Sequence, residues 1–486
     1  MIEYAYDVDG GGGNLQPYYN AVTKDIVLKL EDIVGSKNVI FAAKEKMEPY
    51  SHDETHAHEY ACFPEVVVQV ISAAEISEIM KLANEARIPV TPRGAGSGLS
   101  GGAVPVMGGI LLSLERMNRI LEIDRENLVA VVEPGVITND LNNKVQQEGL
   151  FFAGYPMSLE TCFVGGNVAE NAGGGRAVKY GVTGRYVLGL EMVLPTGEIA
   201  VFGGKRVKDV TGYNMVQLMV GSEGTLGIFT RIILKLLPLP QAKIDMLVLF
   251  PHVSSALNIV PRIMTELRII PTGIEFMDRL SLEIACDYLS EKQYSGVGAI
   301  LLIEMDGNNR EQVLEECLQI GELCHEQGGA LDSFVAEGPG EQEKIWRVRK
   351  NAGEAYTALG TILSAEDLVV PPSKIAEMIS QVEVLSRKYG VLMPSFGHVG
   401  DGNLHVTIIK DPAEQGEGGK ERLPALLTEL YLLTKEMGGT ISGEHGIGHK
   451  RKQYVPLVLG ETELAAMRQI KTALDPNNIL NPGKIF

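Results

Sequence analysis

Two short stretches in the last quarter of the chain bring chemically capable side chains close together. GHVGDGNLH at 397–405 carries His398 and His405, and SGEHGIG at 442–448 carries the adjacent Glu444 and His445. Gly400-Asp401-Gly402 makes a tight turn that can fold His398 back toward the strand bearing His405. Two imidazoles on the arms of one turn can reach a single ion. Glu444 would then complete a three-ligand set with an open position, the usual arrangement of a catalytic metal site. His445, its neighbour, would point differently, toward a substrate. Four of the nine histidines lie between 398 and 449, and three of those four adjoin glycines, as close-packed ligand loops often do. For any one histidine alone, a core or surface role is the competing reading.

A second signal is glycine. The stretch PRGAGSGLSGGAVP at 92–105 places five glycines between Gly94 and Gly102, too many for a strand or a helix. It follows the strand-like IPVT at 88–91, which invites a dinucleotide reading. A Rossmann loop must open a helix, however, and Gly101, Gly102, Pro105, Gly108 and Gly109 forbid one here. Phosphate can still be held by successive loop N–H groups turned inward as an anion nest, which glycine permits. A mobile surface loop is the alternative for an isolated run, but VGGNVAENAGGGR at 164–176 and GSEGTLG at 221–227 repeat the pattern. Three such loops beside strand-like segments suit a large ligand that meets backbone at several places, such as a dinucleotide.

The elements that must position these residues follow from periodicity. VVVQV at 66–70 is a short apolar strand, SAAE at 72–75 is a capping box, and Ile76, Ile79, Met80 and Ala83 behind it share one helical face. Strand-like runs continue at 109–114 and 128–132, and 190–202 reads as a hairpin turning at Thr196-Gly197. LLPLPQ at 236–241 marks a domain boundary. Beyond it, strands at 245–250 and 299–304 and helices near 253–267 and 309–327 predict an α+β domain on an antiparallel sheet. A length of 486 residues suggests two or three domains, and the spacing divides them as a tail over 1–24, one domain over 25–240, a second over 241–449 and a C-terminal segment over 450–486. The GGGG at 10–13 sits in a polar setting and reads as a flexible tail.

The bulk properties narrow the function further. A formal charge of −19 disfavours nucleic acid and anionic membrane as partners. There is no run of eighteen apolar residues for a transmembrane helix and no secretory leader pattern at the start, so a cytoplasmic protein is expected. Five scattered cysteines without a C-x-x-C pair exclude an iron–sulfur cluster in any usual spacing.

Together, PRGAGSGLSGG at 92–102, GGNVAENAGG at 165–174, GSEGTLG at 221–227 and LNPGK at 480–484 resemble the vanillyl-alcohol oxidase (PCMH-type) FAD-binding family, in its branch of D-lactate, glycolate and D-2-hydroxyglutarate dehydrogenases. The resemblance implies an α+β fold, with a two-subdomain FAD-binding domain and a substrate (cap) domain of antiparallel sheet and flanking helices. It implies pyrophosphate at Arg93, Gly94, Ala95, Gly96, Ser97 and Gly98. Ser158, Gly165, Gly166, Asn171, Glu223, Ile228 and Asn481 would line the rest of the FAD site. Several relatives bind FAD covalently through a histidine near the first loop. None occurs between His58 and His252, so non-covalent FAD is expected.

In the similar dehydrogenases the histidine and glutamate pattern is a divalent metal site, carried here onto His398, His405 and Glu444 for Zn, Mn or Fe, with His445 as catalytic base. IWRVRK at 345–350 matches the stretch holding a substrate-clamping arginine, Arg349. Its planar fork suits a carboxylate, whereas Arg347 and Lys350 read as surface charges. The implied reaction takes the substrate hydroxyl proton to His445 and hydride from C2 to flavin N5, giving a 2-oxo acid. Where 2-hydroxyglutarate members carry a lysine, this chain has Ala365 beside Glu366 and Asp367, which would repel a second carboxylate. Small monocarboxylates, D-lactate and then glycolate, are therefore expected. Electrons would pass to a partner, an electron-transferring flavoprotein first or an iron–sulfur subunit. The alternatives are a catalytically silent FAD-binding subunit and a non-redox enzyme similar to alkylglycerone-phosphate synthase.

Overall fold

The computed structural model describes residues 19–292, 294–413 and 418–486. The GGGG at 10–13 lies outside them.

The first unit is a four-stranded sheet in the order Val39–Phe41, Val66–Gln69, Ile110–Ser113, Val90–Arg93, with the last three strands parallel. Parallel neighbours need a crossover, and helix Ala73–Ala86 supplies it. Ser72 Oγ accepts from the Glu75 N–H at 3.3 Å as the expected capping box requires, but the Glu75 carboxylate reaches past the Ser72 N–H to accept from the Ile71 N–H at 2.7 Å, so only the Ser72 half of the box is made. The helix buries Ile76, Ile79, Met80 and Ala83 against the sheet. Burying a residue such as Ile contributes about 1.5–3 kcal/mol. Strand Val90–Arg93 then delivers the chain directly into the first glycine loop. A five-stranded antiparallel sheet follows, ordered Ile120–Asp124, Val129–Val132, Ile228–Lys235, Val187–Val193, Ile199–Gly203. The C-terminal segment returns beside the first sheet, where the Val90 N–H donates to Ile479 O at 2.8 Å and the Asn481 N–H to Val90 O at 2.7 Å.

After the proline-rich seam, strand Ala242–Phe250 opens an eight-stranded antiparallel sheet. Its alternation sends Ile244, Met246, Val248 and Phe250 to one face, which packs against helices Val253–Thr265, Arg310–Gly328, Ile375–Tyr389 and Gly418–Glu436. Helices Arg279–Leu289, Pro339–Lys350 and Ala352–Leu359 cover only part of the opposite face. The uncovered part faces the glycine loops. Among the described residues no helix is long and apolar enough to cross a membrane.

Candidate active site

A cavity of about 1220 Å³ lies between the glycine loops and the uncovered face of the large sheet, and a smaller one of about 90 Å³ adjoins it, sharing Gly94, Gly102, Gly166 and Glu170 as lining. Gly94, Ala95, Gly96, Ser97 and Gly98 line the larger cavity. Gly96 has φ +77°, and the Arg93 guanidinium packs where its Cβ would stand, so no other residue fits there. Arg93 is buried and donates to Pro49 O at 2.9 Å, which fixes a positive charge behind the loop. Asp53 accepts the Gly101 N–H at 2.7 Å, and the Glu54 N–H donates to Gly98 O at 3.0 Å. A Cβ on Gly165 would stand 2.5 Å from Pro134, whereas Gly166 borders open space.

Ser158 lines the larger cavity, while Arg93, Gly165, Glu223 and Ile228 line the smaller. Two residues of the expected set line neither. Asn171 caps helix Val164–Glu170 with φ +53° and accepts the Gly184 N–H at 2.8 Å. Asn481 donates to Gly102 O at 3.0 Å and Glu223 O at 2.9 Å, holding two glycine loops together from behind. Glu223 accepts the N–H groups of Ile447 at 2.8 Å and Gly448 at 2.6 Å, and so ties the third glycine loop to the 442–448 loop.

The register of the large sheet assembles the polar cluster. Glu275 sits opposite His398, while Phe396 and Asp367 flank His405 on neighbouring strands. His398 Nδ1 is hydrogen-bonded to Glu275, which leaves Nε2 facing Glu444 Oε1 at 3.4 Å and His405 Nε2 at 3.4 Å. His405 Nε2 lies 3.9 Å from Glu444 Oε2. Tetrahedral ligand bonds of about 2.0–2.1 Å set donor atoms about 3.3 Å apart, so the three residues fit a small divalent ion. Two imidazoles and a carboxylate also suit zinc, manganese or iron.

Asp367 belongs to a second possible ligand group with His405 and His445. Its oxygens are already occupied. Oδ2 accepts from Ser442 Oγ at 3.0 Å and from the N–H groups of Gly443, Glu444 and His445 at 2.9, 2.8 and 2.8 Å, and Oδ1 accepts from Asn403 at 2.7 Å. Burial alone would raise the Asp367 carboxyl, but His445, His405 and these donors hold it far below its ordinary range. Asp367 is thus the anion around which the 442–445 loop folds. His445 stacks on His405 with ring centres 5.3 Å apart, and its Nδ1 stands 3.9 Å from Asp367 Oδ2. Burial pushes His445 down to about 4 against the pull of Asp367. A neutral imidazole beside a fixed carboxylate can accept a proton and be stabilised once charged.

Arg349 is buried, unlike Arg347 and Lys350 on the same helix. Its guanidinium lies over the Phe396 ring, 4.1 Å from the centroid, its Nε donates to Glu275 Oε2 at 2.9 Å, and its Nη2 pairs with the same oxygen at 2.8 Å. One edge of the fork is therefore occupied, and the outer edge formed by Nη1 and the second Nη2 proton remains for an anion. Glu275 joins Arg349 to His398. Burial would raise its carboxyl, but His398 and Arg349 bring it down to about 2. Sequence reading missed Glu275 because GIEFMD at 273–278 looks like an ordinary buried strand.

The second glycine run closes the site from the other domain. A Cβ on Gly173 would stand 2.9 Å from Glu444 Oε1, and one on Gly175 would stand 2.5 Å from Glu275 Oε1 and 3.3 Å from His398 Nδ1. Arg176 clamps the run to Glu304 at 2.7 Å, and Lys179 Nζ donates to Asp306 O at 2.8 Å.

One expectation needs correction. Glu366 and Asp367 do not present free charge to a substrate. Glu366 lines the cavity but is buried and paired with Lys450 and Arg451 at 3.2 Å each, and Asp367 is saturated by the donors above. Ala365 lines the cavity too, and the Lys450 and Arg451 side chains beside it are engaged by the Ala365 carbonyl and Glu366, so this place offers a second carboxylate neither a free cation nor a free anion.

Comparison with known proteins agrees with this architecture. Residues 64–203 match the family described as FAD binding domain, and residues 239–485 match FAD linked oxidases, C-terminal domain. The chain is 40% identical over 465 residues to glycolate oxidase subunit GlcD of Bacillus subtilis, covering 96% of this chain and 97% of that one. It is 39% identical over 476 residues to a D-lactate dehydrogenase of Anaerostipes hadrus, covering 96% and 98%. Its fold is similar to that of p-cresol methylhydroxylase with substrate bound, at a TM-score of 0.78 and 20% identity over 97% of this chain and 98% of the other. It is also similar to alkyldihydroxyacetonephosphate synthase, at a TM-score of 0.73 and 18% identity over 96% and 87%. With both of its domain models matched in order and relatives aligned over nearly their whole length, the chain belongs to the FAD-linked oxidase family.

Proposed function

We propose that the protein is an FAD-dependent dehydrogenase that oxidises a small D-2-hydroxy acid, D-lactate first and glycolate next, to the 2-oxo acid. The observation that carries this reading is convergence. The first two glycine loops, Arg349, the His398–His405–Glu444 group and His445 all line one cavity, and the third glycine loop lines the smaller cavity that adjoins it. The names of the relatives, a glycolate oxidase subunit and a D-lactate dehydrogenase, support the substrate class. The residues also fit the cofactor, since Gly94, Ala95, Gly96, Ser97 and Gly98 line the cavity with Arg93 charged behind them, and Gly166 offers bare backbone against open space.

When bound, FAD supplies a two-electron acceptor and a divalent cation supplies a Lewis acid that makes a hydroxyl easier to deprotonate. The chain does the rest. Arg349 takes the substrate carboxylate on its free edge, and Glu275 keeps the fork aimed. His398, His405 and Glu444 hold the cation, with Glu275 orienting His398 in the manner of a carboxylate–histidine–metal relay. His445 takes the proton from the C2 hydroxyl, and Asp367 stabilises the resulting imidazolium. Ala365 leaves room but no charge for a longer substrate arm, which favours monocarboxylates. The electrons leave for a separate partner, an electron-transferring flavoprotein first.

Cation removal tests this reading. Treatment with a chelator should abolish oxidation of D-lactate with an artificial acceptor while FAD stays bound, and Zn²⁺, Mn²⁺ or Fe²⁺ should restore it. Full turnover by protein shown to be metal-free contradicts the role assigned to His398, His405 and Glu444.

A further inference from the structure

Glu170 ends helix Val164–Glu170, one turn beyond Gly166, and lines both cavities at their junction. Its Oε1 would stand 3.1 Å from a Cβ on Gly102, while Oε2 packs against Gly446, is buried and has no hydrogen-bond partner. The charged groups that face it are Glu223, Asp53 and Arg451. None is available to it. Glu223 spends its oxygens on Ile447 and Gly448, and Asp53 spends its own on Gly101 and Thr55. Arg451 is directed to Glu366, Ala365 O and Gly446 O.

An ionised carboxylate in that position would set an anionic oxygen against a glycine Cα with no donor, beside two further carboxylates. Burying an unpaired charge costs several kcal/mol, so such a group takes up a proton instead. Burial first and Glu223 second push the Glu170 carboxyl well above its ordinary range. As a neutral acid, Oε2 becomes a carbonyl oxygen, for which lack of a partner costs far less, and Oε1 carries the proton into the cavity.

We infer that Glu170 stands in the cofactor cavity as an uncharged carboxylic acid and donates a hydrogen bond from Oε1 to an acceptor atom of bound FAD. This rests on the reading of the cavity as the FAD site. Neutrality is what lets an acidic residue sit at the junction lined by Gly94, Gly102 and Gly166 without repelling a phosphate-bearing ligand. Burial raises the neighbouring Glu223 carboxyl as well, but the Ile447 and Gly448 N–H groups pull it back, whereas Glu170 has no such donor.

The test is the FAD dissociation constant of the holoprotein, measured by flavin fluorescence on dilution, for wild type, Glu170→Gln and Glu170→Leu. Glutamine keeps a neutral donor in place and should hold FAD within about threefold of wild type, whereas leucine removes the donor and should weaken binding about tenfold. Wild-type affinity should fall as pH rises and the acid ionises, and the glutamine variant should stay level. Infrared difference spectra, wild type minus Glu170→Gln, should show a protonated-carboxyl band even if the leucine variant fails to fold. Equal weakening by glutamine and leucine, or no such band, overturns the inference while leaving FAD binding intact. Failure of the wild type to bind FAD overturns the cavity reading itself.

Discussion

At the scale of single residues, the account depends on His445 acting on substrate while its neighbour Glu444 faces the two histidines. His445→Ala should retain FAD, because no glycine-loop contact involves its ring, and should lower the rate of flavin reduction about a hundredfold to ten-thousandfold, the range for loss of a general base. Rapid-mixing measurement of flavin reduction checks this, and a near-wild-type rate would remove His445 from the chemistry. His398, Glu444 and His445 were legible because polar side chains beside glycines are conspicuous, and His405 because it follows the Gly400-Asp401-Gly402 turn that folds His398 toward it. Their supports were not. Glu275 and Asp367 look like minor breaks in apolar strands, and only the pairing of distant strands puts Glu275 opposite His398 and Asp367 opposite His405. Arg349 was legible as a fork for a carboxylate, but not as one whose inner edge Glu275 already holds.

At the scale of elements, the second glycine run serves a close approach that a ligand-facing reading of its glycines does not include. Bare backbone at Gly173 and Gly175 serves the close approach of Glu444, Glu275 and His398 across the domain boundary, in addition to any contact with a cofactor. Glu275 cannot swing aside to admit a methyl group, since His398 and Arg349 both hold it. Gly175→Ala should therefore weaken Mn²⁺ or Zn²⁺ binding about tenfold or more, as loss of outer-shell support does, with FAD content unchanged. Titration calorimetry with the metal alone reads this, and an unchanged metal affinity would show that the run only spans the gap. The helices and strands on either side followed from periodicity. Helix Ala73–Ala86 begins at its expected Ser72 cap, and Val253–Thr265 and Arg310–Gly328 lie where 253–267 and 309–327 were expected. Local signals suffice for such elements. The order of the eight-stranded sheet is set by long-range burial that no local window contains.

At the scale of the whole molecule, two domains divide the task. One presents glycine-rich backbone and a buried arginine, and the other presents a row of ionisable groups on the one part of its sheet that helices leave uncovered. Neither half of the cavity is complete alone, and the contacts of Arg176 with Glu304 in the cavity, of Lys179 with Asp306 beside it and of Glu223 with the 442–448 loop hold the halves together. The net charge of −19 sets up a field that repels phosphate-rich polymers. The most direct test is the anaerobic absorption spectrum of the purified, metal-loaded holoprotein, titrated separately with D-lactate, L-lactate, glycolate and D-2-hydroxyglutarate. Bleaching of the flavin band by D-lactate, with glycolate next and D-2-hydroxyglutarate weakest, is the predicted result; a bound flavin that none of the four acids reduces would contradict the assignment.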